Sequence, residues 1–206
     1  MEFNEVIKLR RSIRKFKAEP IPDEYVNEIL KAGRLAPSVS NIQSTRYLVI
    51  KNPEVKEKLN EYTVPFVKSA PVVIVCCAYK KAWNEQEKRF LELKEIGAFK
   101  DFYEETKQQM EILEKEGKVE RMANPEIFSY YLWQHAAIAI DHMMLKAVDL
   151  GLGSCWVGFV DREKVRELVN LDNDYDIIAL LPIGYPSYNP APRSRFSVDQ
   201  LLLKEL

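Results

Sequence analysis

The stretch Val72-Val73-Ile74-Val75-Cys76-Cys77-Ala78 is apolar at every position. A strand with one wet face alternates apolar and polar residues, because successive side chains point to opposite sides. Unbroken apolarity instead predicts a strand over 71–79 that is buried on both faces. Such a strand needs a layer of structure above it and another below. The rest of the chain supplies candidates. Further strands are expected at 47–50, 154–158 and 177–182, and helices at 3–9, 22–34, 53–62, 126–150 and 161–169. The first two helices show i, i+3, i+4 spacing, as in Phe3, Val6 and Ile7 or Val26, Ile29 and Leu30. Alternating strands and helices indicate an α/β or α+β fold. With 206 residues, 47% of them hydrophobic, the chain suits one domain spanning 1–206, with a core that needs neither metal nor disulfide staples.

Two regions depart from plain core packing. Residues 80–121 are dominated by lysine, arginine and glutamate, yet carry Trp83, Phe90, Leu91, Met110, Ile112 and Leu113. That is too much apolar content for a linker, so one or two surface helices inserted between core elements are expected. The helix at 126–150 has a broad apolar stripe: Leu132, Ala136, Ala137, Ile140, Met143, Met144 and Ala147. Packing into a dimer core accounts for a stripe of that width, and a single central helix in a monomer is the alternative. Gly151 and Gly153 supply its C-terminal stop.

Composition excludes several classes of function. A formal net charge of -1 gives no global attraction for nucleic acid, so none is expected as a partner. No apolar run approaches the ~20 residues of a membrane span, and no leader segment opens the chain, so a soluble cytoplasmic protein is expected. Cys76, Cys77 and Cys155 have no zinc-site spacing and read as buried small hydrophobes in a reducing compartment. His135 and His142 stand seven apart on one helix face without a third ligand, which assigns them a structural or interface role and leaves no metal site.

Any anion site must then come from local clusters, and there are two. Arg10-Arg11-Ser12-Ile13-Arg14 places three planar donor forks and a hydroxyl within five residues. Arg193-Ser194-Arg195 sets two more arginines at i, i+2, on one side of an extended stretch. Pro37-Ser38-Val39-Ser40-Asn41-Ile42-Gln43 adds a loop dense in short donors and acceptors, whose amides suit a ring edge carrying both carbonyls and an N–H. Leu150-Gly151-Leu152-Gly153-Ser154-Cys155-Trp156-Val157-Gly158 offers glycines that admit a flat ligand close to the backbone. That stretch is no dinucleotide fingerprint, since its Gly-x-Gly follows a helix and lacks the third glycine. A phosphate loop is absent as well.

In this order, the four features resemble the nitroreductase family of FMN proteins, and the likeness covers nearly the whole chain apart from 80–125. The resemblance implies an α+β fold with a central mixed sheet flanked by helices, in an obligate domain-swapped homodimer with two FMN sites at its interface. It implies that Arg10, Arg11, Ser12, Arg14, Arg193 and Arg195 surround the FMN phosphate and ribityl end. Ser38, Ser40 and Asn41 would reach the flavin from the partner subunit, with Pro37 and Gln43 in the same cofactor-binding loop. Cys155, Trp156, Val157 and Gly158 would line the ring near N5, and Gln134 matches a polar helix position facing the cofactor. NADH or NADPH would deliver hydride to flavin N5, and a nitroaromatic, quinone or free flavin would accept it, with no obligatory catalytic side chain. Where the family usually has proline and an aromatic after the glutamine, this chain has Ser44-Thr45-Arg46. The same fold also supports flavin cleavage and reductive dehalogenation under a long lid, and a non-enzymatic flavin carrier is the reading from another class.

Overall fold

The computed structural model describes residues 1–98, 103–118 and 125–206. Four strands form one sheet: β1 (Thr45–Ile50), β2 (Val72–Tyr79), β3 (Gly153–Ser154) and β4 (Tyr175–Gly184), in the order β1-β2-β4-β3. β2 is interior, as its composition demands, and every residue from Val72 to Ala78 is buried. Its side chains alternate between two cores. Val73, Val75 and Cys77 pack with Leu59, Val165 and Leu180 on one face; Val72, Ile74 and Cys76 pack with Ile29, Ile140 and Met143 on the other. Burial pushes the Cys77 thiol up to about 12 and raises that of Cys76 as well, so both remain protonated hydrophobes.

The first face is covered by α3 (Pro53–Leu59) and α7 (Arg162–Leu168), the second by α2 (Asp23–Arg34) and α6 (Pro125–Asp149). Asn52 caps α3 by accepting from the Glu54 and Val55 N–H groups, and Asp161 caps α7 through the Lys164 N–H. α2 packs closely on α6 at Gly33, where a Cβ would stand 2.6 Å from the Tyr47 hydroxyl and 2.9 Å from Met143 Cγ. α1 (Phe3–Leu9) precedes the arginine segment. Gly151, with φ +75°, ends α6 as expected.

Several expectations need adjustment. The resemblance implied a mixed sheet, but all three strand pairings are antiparallel, and the parallel component is confined to the isolated Ser12–Ser154 bridge. The strand expected at 154–158 is regular only over Gly153–Ser154; pairing resumes at Val157, opposite Leu180. Cys155 N–H donates to the Pro182 carbonyl at 3.3 Å, and Pro182 has no N–H to return the bond. A bulge between Cys76 and Cys77 leaves Ile178 outside the β2 register, and its side chain joins a third cluster with Ile42, Phe128, Leu132 and Ala136. Ala137, expected in the buried stripe of α6, lies on its exposed face, whereas Ala139 is buried.

The insertion contains α4 (Gln86–Glu95) and α5 (Tyr103–Lys115), in line with one or two surface helices; its residues 99–102 and 119–124 lie outside the described residues. α4 rests on the turn Val39–Asn41, where Gln86 Nε2 donates to Ser40 Oγ at 3.4 Å. Beyond Ser187 the chain runs into a largely exposed tail, with a short helix α8 (Val198–Leu201) closed by a Ser197–Gln200 capping box. Among the described residues no helix is long and apolar enough to cross a membrane.

Candidate functional site

The arginine segment is held by backbone pairing and two apolar anchors. Ile13 and Phe16 are buried, while the residues between and before them face outward or stay half-buried. Ile13 N–H donates to the Ser154 carbonyl at 2.9 Å, and Gly153 makes room, since a Cβ there would meet Ile13 Cγ1 at 2.5 Å. Lys17 N–H then donates to Tyr185 O and Ser187 N–H to Lys15 O. These bonds draw the chain beyond Ser187 back over the segment. The result is a cavity of about 600 Å³ lined by Arg10, Arg11, Ser12, Arg14, Arg193 and Arg195. The two arginine clusters, nearly the whole chain apart in sequence, therefore converge as expected.

Among the described residues no carboxylate pairs with any of these five guanidinium groups; their bonds within the chain go to backbone carbonyls. Arg11 Nη1 donates to Lys8 O and Arg10 O, which ties it to the end of α1, and its Nε is buried without a partner. Ser154 Oγ, beneath Ser12, is also buried and unpartnered. Cys155 is buried beside them. Burial raises its thiol pKa above the ordinary value, although Arg14, Ser12 and Arg10 pull it down. It is therefore no thiolate nucleophile at neutral pH.

The Pro37–Gln43 loop does not border that cavity within one chain. Pro37, Ser38 and Gln43 line a separate one of about 140 Å³, together with Arg34, Arg46 and His135. The loop is tightly specified. Ser40, Asn41 and Gln43 have φ of 47°, 50° and 48°, left-handed conformations that cost non-glycine residues on the order of 1 kcal/mol or more each. Ser38 Oγ accepts from Gln43 N–H at 3.0 Å, and Arg46 Nη1 donates to Gln43 O at 2.6 Å. Arg46 also stacks 5.4 Å over the Tyr79 ring, which gives the departure after Gln43 its own anchor. His135, buried in α6, accepts from Val39 N–H at Nε2 (3.0 Å) and meets Ser44 Oγ at Nδ1 (3.0 Å).

Of the glycine-rich stretch, Cys155 and Val157 are buried, Trp156 is half-buried between two core clusters, and Gly158 is exposed. Arg162 spans this region. Its Nε donates to Ile177 O at 2.9 Å, and its guanidinium lies 5.5 Å over the Trp133 ring. Gln134 is on the exposed face of α6, next to Trp133. The sequence assigned His135 only a general structural role and assigned Arg162 none. Their partners lie at long sequence separations, and no local spacing points to them. Among the described residues no cluster of His, Cys, Asp and Glu could hold a metal ion.

A family model described as the Nitroreductase family matches residues 7–185. The chain belongs to the Nitroreductase family. A Methanothermobacter thermautotrophicus relative, named for NADH dehydrogenase and NAD(P)H nitroreductase activity, is 29% identical over 213 residues, covering 100% of this chain and 88% of its own. A Thermus thermophilus NADH dehydrogenase is 30% identical over 200 residues, covering 94% of this chain and 91% of its own. Among solved nitroreductase structures, one from Exiguobacterium sibiricum in complex with FMN superposes with a TM-score of 0.80 at 23% identity, over 100% of this chain and 98% of the other. That likeness establishes the nitroreductase fold.

Proposed function

We propose that this nitroreductase-family oxidoreductase binds FMN with the phosphate in the Arg10–Arg14/Arg193–Arg195 cavity, takes electrons from NADH or NADPH, and passes them to a small oxidised acceptor such as a nitroaromatic, quinone or flavin. The observation that carries this reading is five guanidinium groups facing one cavity with no carboxylate among the described residues to neutralise them. A phosphate dianion supplies the missing charge and accepts from planar donor forks. The cofactor fits the residues present: Ser12 adds a hydroxyl donor, and Arg11 Nε is a buried donor without a partner. The chemistry that FMN contributes when bound is two-electron transfer through flavin N5.

The chain's own residues bind and orient. Arg10, Arg14, Arg193 and Arg195 offset the phosphate charge, and Ile13 and Phe16 keep that anchor on the sheet. Gly158 has exposed backbone, and its N–H would support negative charge on the flavin ring when the cofactor is bound against this segment. Gln134 and the Ser38–Gln43 loop would supply polar contacts to the ring edge. No side-chain acid or base is needed.

The loop and the arginine cavity lie apart in one chain, so the complete site calls for a second copy, and a homodimer is part of this proposal. Two surfaces support it. α6 exposes Tyr130, Trp133 and Ile138 along one face, and the tail exposes Phe196, Val198, Leu201, Leu202 and Leu203. β1 is an edge strand. Beside it runs a groove of about 680 Å³, roofed by Val26 and Leu30 of α2 and floored by Val55 and the Leu168–Asn170 segment. An apolar tail from a second copy fits a slot between two overhanging layers.

The test is the visible spectrum of the purified protein, followed by bleaching with each nicotinamide in turn. A yellow protein that bleaches rapidly and recolours with an acceptor supports the proposal. A colourless protein that takes up no FMN at micromolar concentration sinks it.

A further inference from the structure

His135 is the one buried imidazole in the described residues, and both of its ring nitrogens are engaged. A backbone N–H can only donate, so Nε2, facing Val39 N–H, must be the acceptor. The neutral ring therefore carries its proton on Nδ1 and donates it to Ser44 Oγ, which is fully buried. The two contacts fall on either side of the four loop positions 40–43, three of which are held in left-handed conformations. Ser38 Oγ closes the same loop from inside. The imidazole thus clamps both ends of a segment whose backbone does not favour its own shape.

We propose that His135 is a positioning residue that holds the Ser38–Gln43 loop in its cofactor-binding shape, and that Ser44 acts through it by accepting the Nδ1 proton and fixing the ring in place. This rests on the reading that the loop contacts FMN. Because the loop and the arginine cavity lie apart in one chain, the histidine of one subunit positions the loop for the flavin anchored by the other.

The chemistry makes the clamp conditional. Protonation puts a hydrogen on Nε2, turns it from acceptor to donor, and sets it against Val39 N–H. Burial lowers the His135 pKa below the ordinary 6.5, so the clamp is intact at neutral pH and opens only on acidification. Arg34 from α2, and Arg46 and Tyr47 from β1, border the same small cavity, and the Tyr131 ring lies 6.3 Å away on α6. Among the described residues no acidic side chain lines that cavity to stabilise a charged imidazole. Losing the proton from Nδ1 to a wrong tautomer has the same consequence as acidification. Ser44→Ala removes the Nδ1–H acceptor and leaves that N–H buried without a partner, which loosens the ring and the loop it holds.

Two measurements on the full-length protein test this. The first is FMN titration of the apoprotein across acidic to neutral pH for wild type, His135→Gln, Ser44→Ala and Arg14→Ala. The second is hydrogen exchange of peptides covering 38–44, which reads the loop without FMN. Expected are an FMN affinity for wild type that falls on acidification more steeply than protonation of the phosphate alone explains, about tenfold weaker binding for His135→Gln with only the phosphate's own pH dependence, and a similar loss for Ser44→Ala. Combining the two substitutions adds little further. Both variants speed exchange at 38–44, and Arg14→Ala does not. Wild-type affinity, wild-type pH slope and wild-type exchange in both His135→Gln and Ser44→Ala overturn the proposal, and if Arg14→Ala still loses FMN the cofactor reading survives. If no variant, nor the wild type, binds FMN while exchange at 38–44 still responds, the cofactor reading fails and the clamp stands. Ser44→Ala keeps the test open if His135→Gln does not fold.

Discussion

The arginine cavity and the Ser38–Gln43 loop are built on opposite principles. The cavity gathers charge and leaves it unpaired: Arg10, Arg14, Arg193 and Arg195 have no acidic partner among the described residues. The loop carries no charge, and its backbone is held by its own residues and its neighbours, through Ser38 Oγ, His135 Nε2 and the Arg46 bond to Gln43 O. One region is left with unbalanced charge, whereas the other has its backbone satisfied within the chain. An anion site can stay unsatisfied in water because exposed guanidinium groups are hydrated. A loop with three left-handed residues cannot stay in that shape unless its surroundings over-determine it.

The largest effect should come from the charged side. Arg14→Ala and Arg193→Ala are each expected to weaken FMN binding by about ten- to a hundredfold, the worth of a charge-assisted hydrogen bond. Both side chains are exposed, so the thermal midpoint of the apoprotein should not move. Flavin fluorescence titration beside a thermal melt separates the two quantities, and an affinity like that of wild type in both variants would place the anchor elsewhere.

Gly153→Ala should couple stability to binding. Its Cβ would stand 2.5 Å from Ile13 Cγ1 and 2.9 Å from Ile13 Cβ, so the arginine segment must shift off β3. A loss of about 1–3 kcal/mol in urea melts is expected, with weaker FMN binding alongside. Lost stability with intact FMN affinity would show that the anchor tolerates movement of its base.

The loop should answer to conformation and not to charge. Ser40→Val places a β-branched residue at φ 47° and should cost about 1–2 kcal/mol. Ser40→Gly removes the strain but adds freedom to the unfolded chain, and should stay within about 0.5 kcal/mol of wild type. Equal denaturation midpoints for the two variants would mean that the turn is not strained.

The smallest effect concerns Cys155, where burial and the arginines oppose each other. The raised pKa keeps the thiol protonated at neutral pH, so a thiol reagent should react slowly there and faster as the solution is made alkaline. Arg14→Ala removes one of the groups that pull the pKa down, and should slow the reaction slightly. A fast reaction at neutral pH would show that the cationic neighbours outweigh burial.

Much of this was legible in the sequence because it rests on local periodicity. Unbroken apolarity from Val72 to Ala78 already required an interior strand, and the structure buries every one of those side chains. Asp161, Gly151 and Pro53 mark helix boundaries through chemistry that acts within one turn. The residue types of the anion site were also visible, since arginine and serine in close sequence present phosphate-compatible donors in any extended segment. Where the sequence misjudged, a distant partner decided. Cys155 to Gly158 looks like a strand, but Pro182 on the neighbouring strand withholds a hydrogen bond. Ala137 belongs to an apolar stripe by composition, yet a single helical step turns it away from the core.

Alone, the sequence determined an α+β chain with a doubly covered strand and two basic segments. Convergence of those segments on one cavity was decided by the bonds of Ile13 to Ser154 and of Lys17 to Tyr185, which pair residues more than a hundred positions apart. Only the tertiary structure brought His135 to Val39 and Ser44, because a histidine on a helix carries no local mark of which backbone amide it will meet.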